Sequence, residues 1–371
     1  MAKPRAGAKT SLASKVLKEY RKTHHLTQEQ LAYDLNIEPR TYRAYENGEY
    51  PLNNIHELRR IADLLGIEPE RFGLAASLYI PKTPEEIEEI IRRIWSLIRE
   101  ERIEEARTIT NRLIQDLQTQ ITSEDITLLR TLAHAYHVKA HITSLTSRAK
   151  ESYKAISPYH EMEEIARIIN DQTALNIALT YQGDIYRRMG DIEKALTYLH
   201  AAQDTTPQAD IAARGNAAQL LARASLRKNN MYDFEQAMAE AEKLAADIDP
   251  NISSTQGHFN LGTVYEEYGR SYAELGQIDK ALDYLSLAEQ QLPQTKLWKL
   301  LIKTARALAL VKGGELKEGI QLATEAAIES RATGNQRYLD RVLIIDKYLD
   351  EIQRMRKPLQ EALYGENDID I

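Results

Sequence analysis

Apolar positions along this chain fall into two registers, both helical. The first occupies residues 26 to 51, LTQEQLAYDLNIEPRTYRAYENGEYP, where Leu31, Ala32 and Leu35 make the inward stripe of one short helix. Thr27 stands three residues before Gln30, the spacing at which a side chain and a backbone N–H cap each other's helix start. Asn36 follows where the turn needs a left-handed residue. Pro39 suits the first turn of a second helix, and Asn47-Gly48 supplies its stop. On that second helix Arg40, Arg43 and Asn47 share one face, while Tyr42, Tyr45 and Glu46 lie on or near the other. Two helices joined by a tight turn are predicted, the second presenting arginines outward.

The second register is a repeat. Gly183, Tyr186, Gly190, Ala195, Leu199, Ala202 and Pro207 return at identical offsets as Gly269, Tyr272, Gly276, Ala281, Leu285, Ala288 and Pro293. Small residues at Gly183 and Ala202 allow close helix crossing, Gly190 ends a first helix and Pro207 a second. Weaker copies are expected at about 84 to 117, 211 to 250 and 297 to 331. The stretch 124 to 160 is helical but off-pattern, and Asn335 to Met355 is expected to cap the array, whose ends need a polar outer face. Between the two registers, Ile80-Pro81-Lys82-Thr83-Pro84 breaks the helical pattern, with Thr83 able to cap a new helix. The expected organisation is a basic arm over 1–10, a first domain over 11–80, a repeat domain over 81–357 and a tail over 358–371.

Charge sharpens this division. Residues 1 to 28 carry seven basic side chains against the single acid Glu19, and residues 1 to 80 balance at +2 within a chain of net charge -7. The basic end suits phosphates; the acidic remainder is a poor nucleic-acid binder. The absence of cysteine excludes disulfides, thiolate zinc sites and cysteine nucleophiles. No apolar run approaches the ~18 residues of a membrane span, and no signal segment precedes the first domain, so a cytoplasmic protein is expected.

Two arginines on one exposed helical face are what guanine edges and phosphates call for. The segment from Ser11 to Leu78 resembles the lambda-repressor-like (Xre/Cro) helix-turn-helix family. That resemblance implies five helices, a double-stranded DNA partner and specific roles. Gln28 matches a DNA-contacting Gln at the start of helix two, and Asn47 matches an Asn whose loop holds a phosphate. Arg21 and Glu46 match an ion pair tying helix one to the recognition helix. Pro39 stands where several members carry a base-reading Gln, so readout is assigned to Arg40 and Arg43, with Thr41 beside them. Glu38 either accepts from a cytosine or caps the helix, and the cap is favoured.

The repeat spacing is that of the tetratricopeptide repeat, so the expected fold is all-α, a DNA-binding domain followed by a right-handed solenoid. Its concave face would be lined by the first helix of each unit. There the sequence offers Asn176, Thr180, Asp184 and Arg187, then Asn216, Gln219, Arg223 and Arg227, then Asn260, Glu266 and Arg270. Asn and Gln clamp a peptide backbone and Arg holds a carboxylate; the alternative is that these are solvated polar positions. His134, His137 and His141 fall near one helical face, but no carboxylate is placed to complete a metal site, and packing is favoured. Nucleotide-binding, zincin and esterase motifs are absent, so neither catalysis nor a cofactor is expected.

The combination resembles the peptide-pheromone-responsive regulators of Gram-positive bacteria and their phages, the RNPP group. It implies a homodimer, a pseudo-palindromic operator and a short linear peptide in the groove. Control by a protein partner or small molecule, and a scaffold without specific DNA binding, are the alternatives.

Overall fold

A computed structural model describes residues 11–50, 52–74, 83–120, 125–248 and 254–364. Those residues form helices and connecting turns, with no strand among them. The basic arm, the boundary near 81 and residues 365–371 of the tail lie outside the described residues. The chain divides into two compact units, residues 1–97 with 104–135, and residues 98–103 with 136–371.

The first unit begins with α1 (Leu12–Thr23), α2 (Gln28–Asp34), α3 (Pro39–Asn47) and α4 (Ile55–Leu65). The fifth element of this bundle is a single 3-10 turn, Pro69–Phe72, rather than a full helix. Local chemistry sets each boundary. Thr27 and Gln30 cap one another reciprocally at the start of α2, Asn36 takes φ 52°, and Gly48 ends α3 at φ 72°. Leu17, Leu31, Leu35, Tyr42 and Ile61 are removed from water together, each large apolar side chain contributing about 1.5–3 kcal/mol.

Helices α5 (Pro84–Arg99) and α6 (Ile103–Gln120) and the start of α7 (Ile126–Thr146) complete this unit. Thr83 and Glu86 cap α5 reciprocally at 3.3 Å. Sequence periodicity placed α5 and α6 in the repeat array, yet they are knitted to the preceding bundle. Arg93 meets Asp34 at 2.8 Å and Arg112 meets Asp63 at 3.2 Å. Tyr20 donates to Glu105, which lies 3.2 Å from His24.

In the second unit, α8 (Ile156–Ile168) precedes four helical hairpins: α9 (Gln172–Met189) with α10 (Ile192–Thr205), α11 (Ile211–Arg227) with α12 (Met231–Ala246), α13 (Leu261–Glu274) with α14 (Ile278–Gln291), and α15 (Lys296–Gly313) with α16 (Leu316–Thr333). The repeat is physical as well as sequential. A β-carbon at Gly183 would lie 2.7 Å from Leu199 Cγ, and one at Gly269 would lie 2.6 Å from Leu285 Cγ, the same register in both hairpins. Tyr186 packs on Tyr198 at 5.3 Å under the Lys194 ammonium, as Tyr272 packs on Tyr284 at 5.6 Å under Lys280. A long α17 (Gln336–Tyr364) ends the described chain and continues through Pro358, where the sequence suggested a tail.

Candidate functional site

Two surfaces collect the polar residues singled out by the sequence, one in each unit. In the first, α3 turns Arg40, Arg43 and Asn47 to solvent while Tyr42 and Glu46 are buried beneath them. Arg21 of α1 grips Glu46 with two nitrogens, at 2.7 and 2.8 Å, and Ser14 donates to the Tyr45 carbonyl at 2.7 Å. Burial opposes the Glu46 charge, but the Arg21 guanidinium outweighs it and holds this carboxyl below its ordinary value. The outward face of α3 is thereby fixed relative to α1. Gln28 at the start of α2 is half-buried, and Thr41 is partly covered. Glu38 occupies the N-cap position of α3, but its side chain makes no cap hydrogen bond; backbone geometry and Pro39 start the helix instead.

Arg43 donates to Glu29 of α2 at 2.7 Å, and both side chains are more than half exposed. Sequence reasoning missed this pair, which lies fourteen residues apart in the chain and becomes visible only when α2 and α3 cross. Tyr33 and Tyr50 are also turned to solvent, 82% and 65% exposed.

In the second unit the polar residues of α9, α11 and α13 are largely spent on one another. Asn176 is fully buried and donates to the Ala202 carbonyl and to Thr206 Oγ1, both at 2.9 Å. Thr180 is likewise buried and donates to Asn176 Oδ1. Asn260 caps α13 reciprocally with Thr263. These three side chains are clasps between and at the ends of helices, with no free group to offer a groove. Asp184 accepts from Arg187 at 2.7 Å and from Arg337 at 3.1 Å, and Glu266 accepts from Arg341 at 2.7 Å. Glu267 is gripped by Arg223 and Arg270, while Arg227 and Arg270 share Glu274. Burial alone would raise Asp184; Arg187, Arg337 and Arg223 together hold it far below the carboxylate range.

Three of these side chains keep a buried atom without a hydrogen-bond partner, one of them Arg270 at its Nε. Asn216 Nδ2 and Gln219 Oε1 are buried without a hydrogen-bond partner. Both residues line a cavity of about 80 Å³, alongside Tyr181, His258 and Trp298. His258 lies 4.6 Å from His141 and 5.5 Å from Trp298, and burial pushes it down to about 3, so its imidazole is neutral. His134, by contrast, meets Glu88 at 2.8 Å in the first unit, so these histidines do not act as one cluster. The described residues hold no group of three or more His, Cys, Asp or Glu placed to bind a metal.

The first turns of α17 complete this region. Arg337 and Arg341 reach α9 and α13, and Asp340 meets Arg188 at 3.4 Å. The sequence marked α17 only as an end cap. Its cue was the run Arg337, Asp340, Arg341, spaced to place alternating charge along one helical face.

The fixed outward helix, its crossing partner and their shared core define a helix-turn-helix domain. Residues 15–75 match a family model described as a helix-turn-helix domain. No functionally curated protein matches the chain. Among solved structures, the chain is similar to Bacillus thuringiensis PlcR in complex with the peptide PapR7 and DNA, at 15% identity and TM-score 0.38, covering 76% of this chain and 96% of that one. It is also similar to the apo form of the competence regulator ComR from Streptococcus vestibularis, at 16% identity and TM-score 0.41, covering 82% and 99%. Among the described residues, no helix is long and apolar enough to cross a membrane.

Proposed function

We propose that this protein is a sequence-specific, homodimeric DNA-binding transcription regulator whose repeat unit receives a short linear peptide. The observation that carries the DNA half is the exposed Arg40, Arg43 and Asn47 face of α3, set by the Arg21–Glu46 pair within a matched helix-turn-helix domain. Arg40 and Arg43 read bases, and Gln28 and Asn47 position the phosphate backbone. Arg43 exchanges Glu29 for DNA on binding.

The peptide half rests on Asn216 and Gln219. A buried amide nitrogen and a buried amide oxygen without partners cost free energy until a ligand supplies the complementary groups, and a peptide bond supplies both. An array of tetratricopeptide type, operating in the cytoplasm, would couple that ligand to DNA by binding one dimer geometry better than another. The test is fluorescence anisotropy of operator DNA titrated with protein, with and without peptides selected from a random library for binding. An Asn216→Ala variant that keeps basal DNA affinity but no longer responds to peptide supports the reading. A scaffold role follows instead if no DNA sequence is preferred.

A further inference from the structure

We propose that an arginine-walled cavity in the repeat unit is an oxyanion site, taking a ligand group with two or more anionic oxygens, a carboxylate or a phosphate. The cavity has a volume of about 360 Å³. Its walls carry Arg187 and Arg188 from α9, Arg223 and Arg227 from α11, Arg270 from α13, and Arg337 and Arg341 from α17. The only carboxylate among its lining residues is Asp340.

The acids that offset these guanidiniums, Asp184, Glu266, Glu267 and Glu274, do not line the cavity. With Asp340 they number five against seven arginines, which leaves two positive charges in excess around a cavity whose arginine side chains, the exposed Arg227 excepted, are mostly buried. Burial is the main force on Arg187 and Arg188, and nearby arginines add to it, so both are pulled down to about 10. A surplus of guanidinium charge around one cavity is what an oxyanion relieves, and the planar fork of arginine bonds two oxygens at once.

This cavity adjoins the one lined by Asn216 and Gln219, since Arg223, Arg337 and Arg341 border both. The inference thus deepens the peptide reading, with a carboxylate held by the arginines while neighbouring amides meet Asn216 and Gln219. A phosphorylated small molecule would use the same chemistry.

The experiment is thermal denaturation and calorimetric titration of the full chain with inorganic pyrophosphate and, separately, with succinate, at constant ionic strength. Arg187→Gln leaves Asp184 bonded to Arg337, and Arg227→Gln leaves Glu274 bonded to Arg270, so neither strands a buried carboxylate. Arg306→Gln, outside this cavity and paired with Glu289, is the control. We expect saturable binding of at least one anion, weakened about tenfold or more in each cavity variant and unchanged in the control. Binding of pyrophosphate alone assigns the site to phosphate, and binding of succinate to a carboxylate. Absence of saturable binding for both, or equal affinity in the cavity variants, overturns the proposal. Anion binding with no peptide effect on DNA would retire the peptide reading and leave the site standing; a peptide effect without anion binding would do the reverse.

Discussion

Arg223→Met removes one guanidinium from an ion pair enclosed by protein. Arg223 Nε lies 2.8 Å from Glu267 Oε2, a second nitrogen reaches the same oxygen, and the Glu267 side chain has no exposed surface. Burial by itself would raise Glu267 and lower Arg223. The pairing reverses both, holding the carboxyl below its usual range and the guanidinium above its own. Breaking such a pair from one side costs about 3–5 kcal/mol, because the abandoned ion stays in the interior. Arg270 also bonds Glu267, so the expected loss is at the lower end, about 3 kcal/mol. Removing both charges in Arg223→Met/Glu267→Met should recover most of it, to within about 1 kcal/mol of wild type, with Arg270 still held by Glu274. Urea unfolding followed by Trp298 fluorescence in a Trp95→Phe background reads this unit alone, since the chain has two tryptophans and Trp298 is buried in the second unit. A single-variant loss under about 1 kcal/mol, or a double variant less stable than the single, refutes the reasoning.

Four further outcomes are expected. Burial pushes Asp63 up to about 7, with Arg112 only partly opposing, so the folded chain holds a proton that the unfolded chain releases near its ordinary value of 3.8. The stability this gives is present below pH 4 and lost as pH rises through 7, by up to about 4 kcal/mol, and Asp63→Asn should flatten that slope in unfolding curves taken from pH 4 to 8. Gly183→Ala and Gly269→Ala should each destabilise by about 1–3 kcal/mol in denaturant titrations, because the new β-carbon meets Leu199 or Leu285. Gly276→Ala, with open space around it, should cost only the strain of its left-handed backbone, about 1–2 kcal/mol. Arg40→Ala and Arg43→Ala should each reduce discrimination between preferred and unrelated DNA by about 1–3 kcal/mol in competition binding, whereas loss of a phosphate contact weakens all sequences alike.

Much of this architecture was legible in the sequence where the cause is local. Thr27 and Gln30 fix a helix end through their side chains, and Asn36, Pro39 and Gly48 do so through their own backbone demands, each where its chemistry pointed. Gly183 and Gly269 were legible because a missing β-carbon has one evident use in a repeated helix crossing. Illegible were the partners of charged side chains. Asp184, Glu266 and Arg270 sit at positions that read equally well as solvent, ligand or salt bridge, and their partners Arg337, Arg341 and Glu267 come from other helices or another turn. Asn176 and Asn260 were ambiguous for a related reason: an amide that serves a peptide also serves a helix end. The clasp of α5 and α6 onto the first bundle escaped because repeat periodicity specifies a helix's apolar stripe, not which neighbour covers it.

The central claim is that α3 reads DNA sequence, and selection of bound DNA from a randomised library by the purified protein, at a stated salt concentration, tests it most directly. The expected result is a two-fold-related motif with half-sites about one helical turn or a multiple apart, lost with Arg40→Ala and Arg43→Ala. Salt-sensitive binding without any motif, or a motif unchanged in both variants, would contradict it.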